Sequence, residues 1–136
     1  METIKKITAY YINTKEPEPK VIEVKPDYRE YQKLCNSRVI DIVNIKIGGK
    51  PFDIICDDEF LLKSGQQVTA LNLSGQPVLL GNLIICNFDD STGEEKSITE
   101  ADIIHLLANT VILTTPEEHT PKLIWPALTN LDYSYF

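Results

Sequence analysis

Two short acidic runs, Asp57-Asp58-Glu59 and Asp89-Asp90, hold the side chains whose type and clustering could do chemistry most directly. Carboxylates brought together from two turns can hold a hard divalent cation, because Mg²⁺ and Ca²⁺ each need several oxygen ligands. An enzyme that gathers Asp57, Asp58, Asp89 and Asp90 around a metal is therefore one reading of the chain. The plainer reading starts from position: each run follows an apolar stretch, where Asp commonly caps a turn through local hydrogen bonds. The spacing of an EF-hand loop is absent. Polyanion mimicry is a further use for acid, and it requires the carboxylates to form one contiguous surface array.

Other catalytic residue types are sparse. The two imidazoles, His105 and His119, lie outside any metal-binding motif: His105 has no second His or Glu at a zinc interval, and His119 sits in a Pro-flanked loop after Glu117-Glu118. Cys35, Cys56 and Cys86 are odd in number and widely spaced, which fits neither a disulfide framework nor a Cys-x-x-Cys knuckle. Each has apolar neighbours and reads as a small core hydrophobe. Ser64 and Ser74 precede glycines and read as turn residues, and phosphate-cradling glycine loops and nucleophile elbows are absent. No cofactor is expected. What remains is an aromatic C-terminal tail, Trp125, Tyr133, Tyr135 and Phe136, whose large, stiff side chains suit an interface.

The elements that must position these groups are legible in part. Ile4–Ile12 and Lys20–Lys25 read as a strand pair joined by the exposed connection Asn13–Pro19. Asp27 is placed to cap a short helix, with Glu30 reaching back and Tyr28, Tyr31, Leu34 and Cys35 on its buried stripe. Arg38–Ile47 reads as a strand whose alternation changes phase, which predicts a bulge near Ile42 and Val43. Gly48-Gly49 predicts a tight hairpin turn into Phe52–Cys56, with Phe52, Ile54 and Cys56 on one face. Val68–Leu73 reads as a short strand, and Val78–Phe88 as one central strand interrupted at Gly81. Ser97-Ile98-Thr99-Glu100 matches a capping box and predicts a helix with Ile103, Ile104 and Leu107 buried, followed by a short strand at Val111–Leu113. Beyond it, Pro116, Pro121 and Pro126 break regularity in a segment too apolar to stay solvated.

With 136 residues, 43% hydrophobic and 24% charged, the chain can bury one core without staples. A net charge of −7 has the wrong sign for binding phosphates at large, so direct nucleic-acid binding is not expected. No apolar run reaches membrane-spanning length and Met1–Lys6 lacks a signal-peptide character, so the expected location is the cytoplasm, with no membrane partner.

In this order of segments, Arg38–Ala108 resembles the small family known as domain of unknown function 3846. The resemblance rests on Val39-Ile40-Asp41-Ile42-Val43, the acidic turn Cys56-Asp57-Asp58-Glu59, the apolar strand Gly81–Asp90, and the capped helix opening at Ser97-Ile98-Thr99-Glu100-Ala101-Asp102-Ile103. It covers roughly the first four fifths of the chain. Relatives tend to carry a proline- and asparagine-containing turn before an arginine, where this chain has Lys63-Ser64-Gly65-Gln66-Gln67-Val68-Thr69. The resemblance implies carriage on phages, plasmids and other mobile elements, and no catalytic residues.

The combined expectation is an α+β fold: a mainly antiparallel twisted sheet, two short helices packed on it and an irregular tail. Residues 1–114 form the domain, and 115–136 an apolar extension docked on that domain or on a partner subunit, which would make a homo-oligomer. The expected function is non-catalytic binding of a host protein or a small molecule.

Overall fold

The computed structural model describes residues 5–59, 66–115 and 122–132. In chain order its elements are β1 (Ile7–Ile12), β2 (Lys20–Val24), α1 (Tyr28–Cys35), β3 (Ile40–Ile47), β4 (Lys50–Asp57), β5 (Val68–Asn72), β6 (Pro77–Leu80), β7 (Leu83–Phe88), β8 (Glu95–Lys96), α2 (Glu100–Ala108), β9 (Thr110–Thr114) and β10 (Ile124–Asp132). Strands run in the order β2-β1-β7-β4-β3-β10-β5-β6, with β8 beside β7 and β9 beside β10. Every pair is antiparallel except β10 with β5. The fold is thus α+β on a mostly antiparallel, mixed sheet. Among the described residues no helix is long and apolar enough to cross a membrane.

Strand alternation divides the core between the two faces of the central strands. Tyr10, Ile12, Ile45, Ile47, Phe52, Ile54, Cys56, Leu83 and Ile85 join one cluster with Leu106 of α2 and Leu128 and Leu131 of β10. Ile7, Ala9, Tyr11, Ile40, Ile55, Ile84 and Cys86 form the other with Tyr31 and Cys35 of α1. β7 is apolar on both faces from Leu83 to Cys86, as is β4 at Ile54 and Ile55, because both faces are covered there.

This accounts for the phase change in β3. Its register with β4 is continuous from Ile40↔Asp57 to Ile47↔Lys50, so the bulge expected near Ile42 is not there. Instead Ile40 meets the α1 cluster, Ile45 and Ile47 meet the other, and Ile42 is exposed. The turn from β3 to β4 is the glycine turn that the sequence predicts: Gly48 and Gly49 have φ of 56° and 87°, as paired positive-φ hairpin turns require. Gly48 is doubly constrained, since a Cβ there would lie 2.7 Å from Asn109 Nδ2.

Four further expectations change. Val78–Phe88 is not one strand: at Gly81, with φ of 84°, the chain leaves β6 at the far edge of the sheet and enters β7 between β1 and β4. The second helix is capped two residues later than predicted, by Thr99 and not Ser97, with Asp102 closing the capping box. Its buried stripe is Asp102 and Leu106, with Ile103 packed alongside, while Ile104 and Leu107 are 69% and 52% exposed. The described part of the tail is not irregular: Ile124–Asp132 is a strand lying between β3 and β5. Pro126 fits there because its ladder position opposite Ile112 requires no N–H toward β9.

Candidate functional site

The structure does not bring the acidic runs together. Asp57 ends β4 and Asp89 follows β7, and these neighbours are antiparallel, pairing Asp53 with Cys86 and Ile55 with Ile84. Asp57 is therefore level with the start of β7, and Asp89 lies beyond its far end, roughly 20 Å away at about 3.3 Å per residue. Each aspartate serves its own turn. Buried Asp57 accepts from Ser37 Oγ at 2.6 Å and from the Glu59 N–H at 2.9 Å. Asp89 accepts from the Ser91 hydroxyl and N–H and the Thr92 N–H, bonds that pull its carboxyl down to about 2. Asp58 and Asp90 flank them on the same two turns. Among the described residues no three His, Cys, Asp or Glu side chains group as a metal site.

The thiols and the described imidazole are similarly occupied. Burial pushes Cys35, Cys56 and Cys86 up to about 12, reinforced at Cys35 by Cys56 and Asp57, at Cys56 by Asp41, Asp58 and Asp57, and at Cys86 by Asp53 and Glu95. A thiol held protonated is a poor nucleophile and metal ligand. His105 Nε2 donates to the Ile47 carbonyl at 2.7 Å and its ring stacks on Phe52, so it pins α2 to β3. His119, Tyr133, Tyr135 and Phe136 lie outside the described residues. Trp125 is half-buried, and its Nε1 donates to the Val68 carbonyl at 2.8 Å, which ties β10 to β5 within the same chain.

The side chains that do converge are those of α1. Burying Tyr31 and Cys35 turns Arg29, Gln32, Lys33 and Asn36 outward at intervals of three and four, one polar stripe of the helix. With Ser37, Arg38 and Glu59 they line an open groove of about 790 Å³. Its wall is ordered by hydrogen bonds: Gln32 Nε2 donates to the Arg38 carbonyl at 2.6 Å, and Ser37 Oγ bridges to Asp57. Arg38 meets Glu59 at 3.6 Å, whereas among the described residues Arg29 and Lys33 have no ion-pair partner.

Lys33 and Asn36 also border a second cavity of about 380 Å³, which reaches Tyr11, Thr14, Gln66 and Asn82. Asn82 organises it, accepting from the Thr14 N–H at 3.0 Å and donating to the Leu34 carbonyl at 3.0 Å. Beside it Gln66 Oε1 is buried with no hydrogen-bond partner among the described residues. A Cβ on Gly81 would stand 2.9 Å from that oxygen, so the glycine leaves room for it. Sequence reasoning did not single out Arg29, Lys33 and Arg38. Their signal was present as the polar complement of the Tyr31-Cys35 stripe.

Comparison with known families decides the relationship. The family model for Domain of unknown function (DUF3846) matches residues 7–120. The chain belongs to this family. The match begins at β1 and passes beyond β9, so it is wider than the stretch whose pattern carried the resemblance. No curated protein and no solved structure matches the chain. Within this DUF3846 chain, both cavities at the end of α1 are built from matched residues.

Proposed function

We propose that this DUF3846 protein is a non-catalytic binding protein whose ligand is a small, polar, anion-bearing molecule held at the C-terminal end of α1. The carrying observation is the stripe Arg29, Gln32, Lys33 and Asn36, extended by Arg38, on a chain of net charge −7. Cations gathered on one face of an acidic protein give that face a local field opposite to the rest. Of the two kinds of partner that the sequence leaves open, a host protein and a small ligand, the geometry favours the second. The adjoining cavity of about 380 Å³ falls in the range of small-molecule sites and offers Gln66 Oε1, which has no partner among the described residues, as an acceptor. Among the described residues the Ser37 hydroxyl that lines the groove donates to Asp57 and also lies against the Val39 carbonyl, a turn-holding role that supports binding over turnover. Burial of Asp53, Asp57 and Asp102 removes them from any phosphate-like surface array, and the separation of Asp57 from Asp89 deprives the metal-enzyme reading of its ligand set.

Titration of the full chain with inorganic phosphate, nucleoside monophosphates and citrate, by calorimetry and thermal shift, tests this. The expected result is saturable binding by at least one of these anions, weakened more than about tenfold in Arg29→Ala/Lys33→Ala and by added salt. Failure of all these probes to bind, or affinity unchanged in the double variant, would refute it.

A further inference from the structure

We infer that this protein associates with a second copy of itself through the edge of β9 that no other described strand covers, as a two-fold dimer with antiparallel β9–β9 pairing. The inference is independent of the ligand proposed for α1.

The hydrogen-bonding direction of β9 follows from its ladder. Thr115 N–H donates to the Leu123 carbonyl at 3.1 Å and Thr129 N–H to the Asn109 carbonyl at 2.7 Å, both in the register that pairs Pro126 with Ile112. Counting by twos between these ends, Val111 and Leu113 turn their backbone groups toward β10, and Thr110, Ile112 and Thr114 turn theirs away. Among the described residues β9 has a strand on one side only.

Strand edges attract other strands, and proteins protect them with charge, proline or brevity. Among the described strands the other edges carry such protection: the part of β3 that β10 leaves unpaired, Ile40–Ile45, holds the charged Asp41. β2 carries Lys20 and Glu23, β6 opens with Pro77 and has four residues, and β8 has two. β9, by contrast, reads Thr-Val-Ile-Leu-Thr: five residues, uncharged, without proline. Apolar side chains lie around it. Ile112 is 52% exposed and Val111 is exposed as well, as are Ile104 and Leu107 on the preceding helix and Leu123 and Ile124 at the start of β10.

Self-pairing solves the edge without a second protein. In an antiparallel pair centred on Ile112, that residue faces its own counterpart, and Thr110 faces Thr114 in both directions. Every outward N–H then meets an outward carbonyl, which is the self-complementary contact a two-fold dimer needs. Two copies of net charge −7 repel over most of their surface, and this uncharged edge is where they approach at least cost.

Sedimentation of the full chain tests this together with Ile112→Lys and Ile112→Pro. The first puts a charge on the edge, and the second removes an N–H that the ladder to β10 does not use. The expected result is a dimer for the unaltered chain and a dissociation constant raised more than about 100-fold in both variants, with circular dichroism unchanged. The register is read by Ile112→Cys: its Cα would lie about 5.5 Å from its counterpart, within disulfide reach, so mild oxidation should link it to itself. Val21→Cys, exposed on β2, should not link. A monomeric unaltered chain at about 100 μM, a dimer that survives Ile112→Lys, or cross-linking of Ile112→Cys no better than Val21→Cys would each overturn the inference.

Discussion

Removing one carboxylate, by Asp102→Ala, should cost about 3 kcal/mol, because that group closes the start of α2 against two strands. Asp102 is fully buried, forms an ion pair with Lys50 Nζ, and accepts from Asn87 Nδ2 at 2.7 Å and from the Thr99 N–H at 2.8 Å. Losing its half of the capping box costs about 1 kcal/mol. Leaving the half-buried Asn87 amide without its best acceptor costs about 1–3 kcal/mol more. The ion pair adds little, about 1 kcal/mol or less, since the Lys50 side chain is 45% exposed and can turn to water. Better helix propensity of alanine returns about 0.5 kcal/mol. Urea unfolding should therefore show a lower midpoint at unchanged m, with Tm lower by about 10 °C. A loss below about 1 kcal/mol for Asp102→Ala would refute the assignment of the stability to the cap and the buried amide.

Two pH-linked predictions follow from the buried groups. Burial raises the thiols of Cys35, Cys56 and Cys86 from 9.0 to about 12 and the Tyr11 hydroxyl from 10.0 to about 12, while Tyr10 and Tyr31 move the same way. The unfolded chain therefore releases protons first. Stability should be fully present below pH 9, fall between pH 9 and 12, and be accompanied by thiol labelling only as the chain unfolds; fast labelling of the native protein at pH 8 would contradict this. Asp53 is raised from 3.8, chiefly by burial, although Asn44 donates to it at 3.0 Å. Its ionised form thus destabilises the fold at neutral pH, and Asp53→Asn should raise the urea midpoint at pH 7, with the gain vanishing on acidification as the native carboxyl protonates. A lower midpoint for the variant at pH 7 would show that the charge is being used.

Local rules carried well where one segment decides its own structure. Asp27 caps α1 through the Arg29 N–H, and Gly48-Gly49 makes its turn. They failed where the deciding partner is distant in sequence. Ile104 and Leu107 fit an apolar stripe as well as Leu106 does. The choice fell to Asp102, whose burial is fixed by Lys50, Asn87 and Thr99, and apolar periodicity cannot register a buried carboxylate. Gly81 likewise signalled a break in an apolar run. That the run then divides between one edge of the sheet and its centre depends on β10 entering between β3 and β5, a segment whose three prolines argued for irregularity.

Strand orientation also decides what the acidic turns can do. Two carboxylate turns that follow neighbouring strands meet at one end of a sheet only if those strands run parallel; antiparallel neighbours put them at opposite ends. β4 and β7 are antiparallel, so the run Asp57-Asp58 and the run Asp89-Asp90 face away from each other whatever their composition favours. The cations of α1 escape this dependence. A helix of one and a half turns or more sets its own faces, and once Tyr31 and Cys35 are committed to the core, Arg29 and Lys33 have to share the other side. In a chain with this sheet, the groups able to act together are therefore those that a single helix face gathers, and in this protein that face is cationic and opens on a cavity.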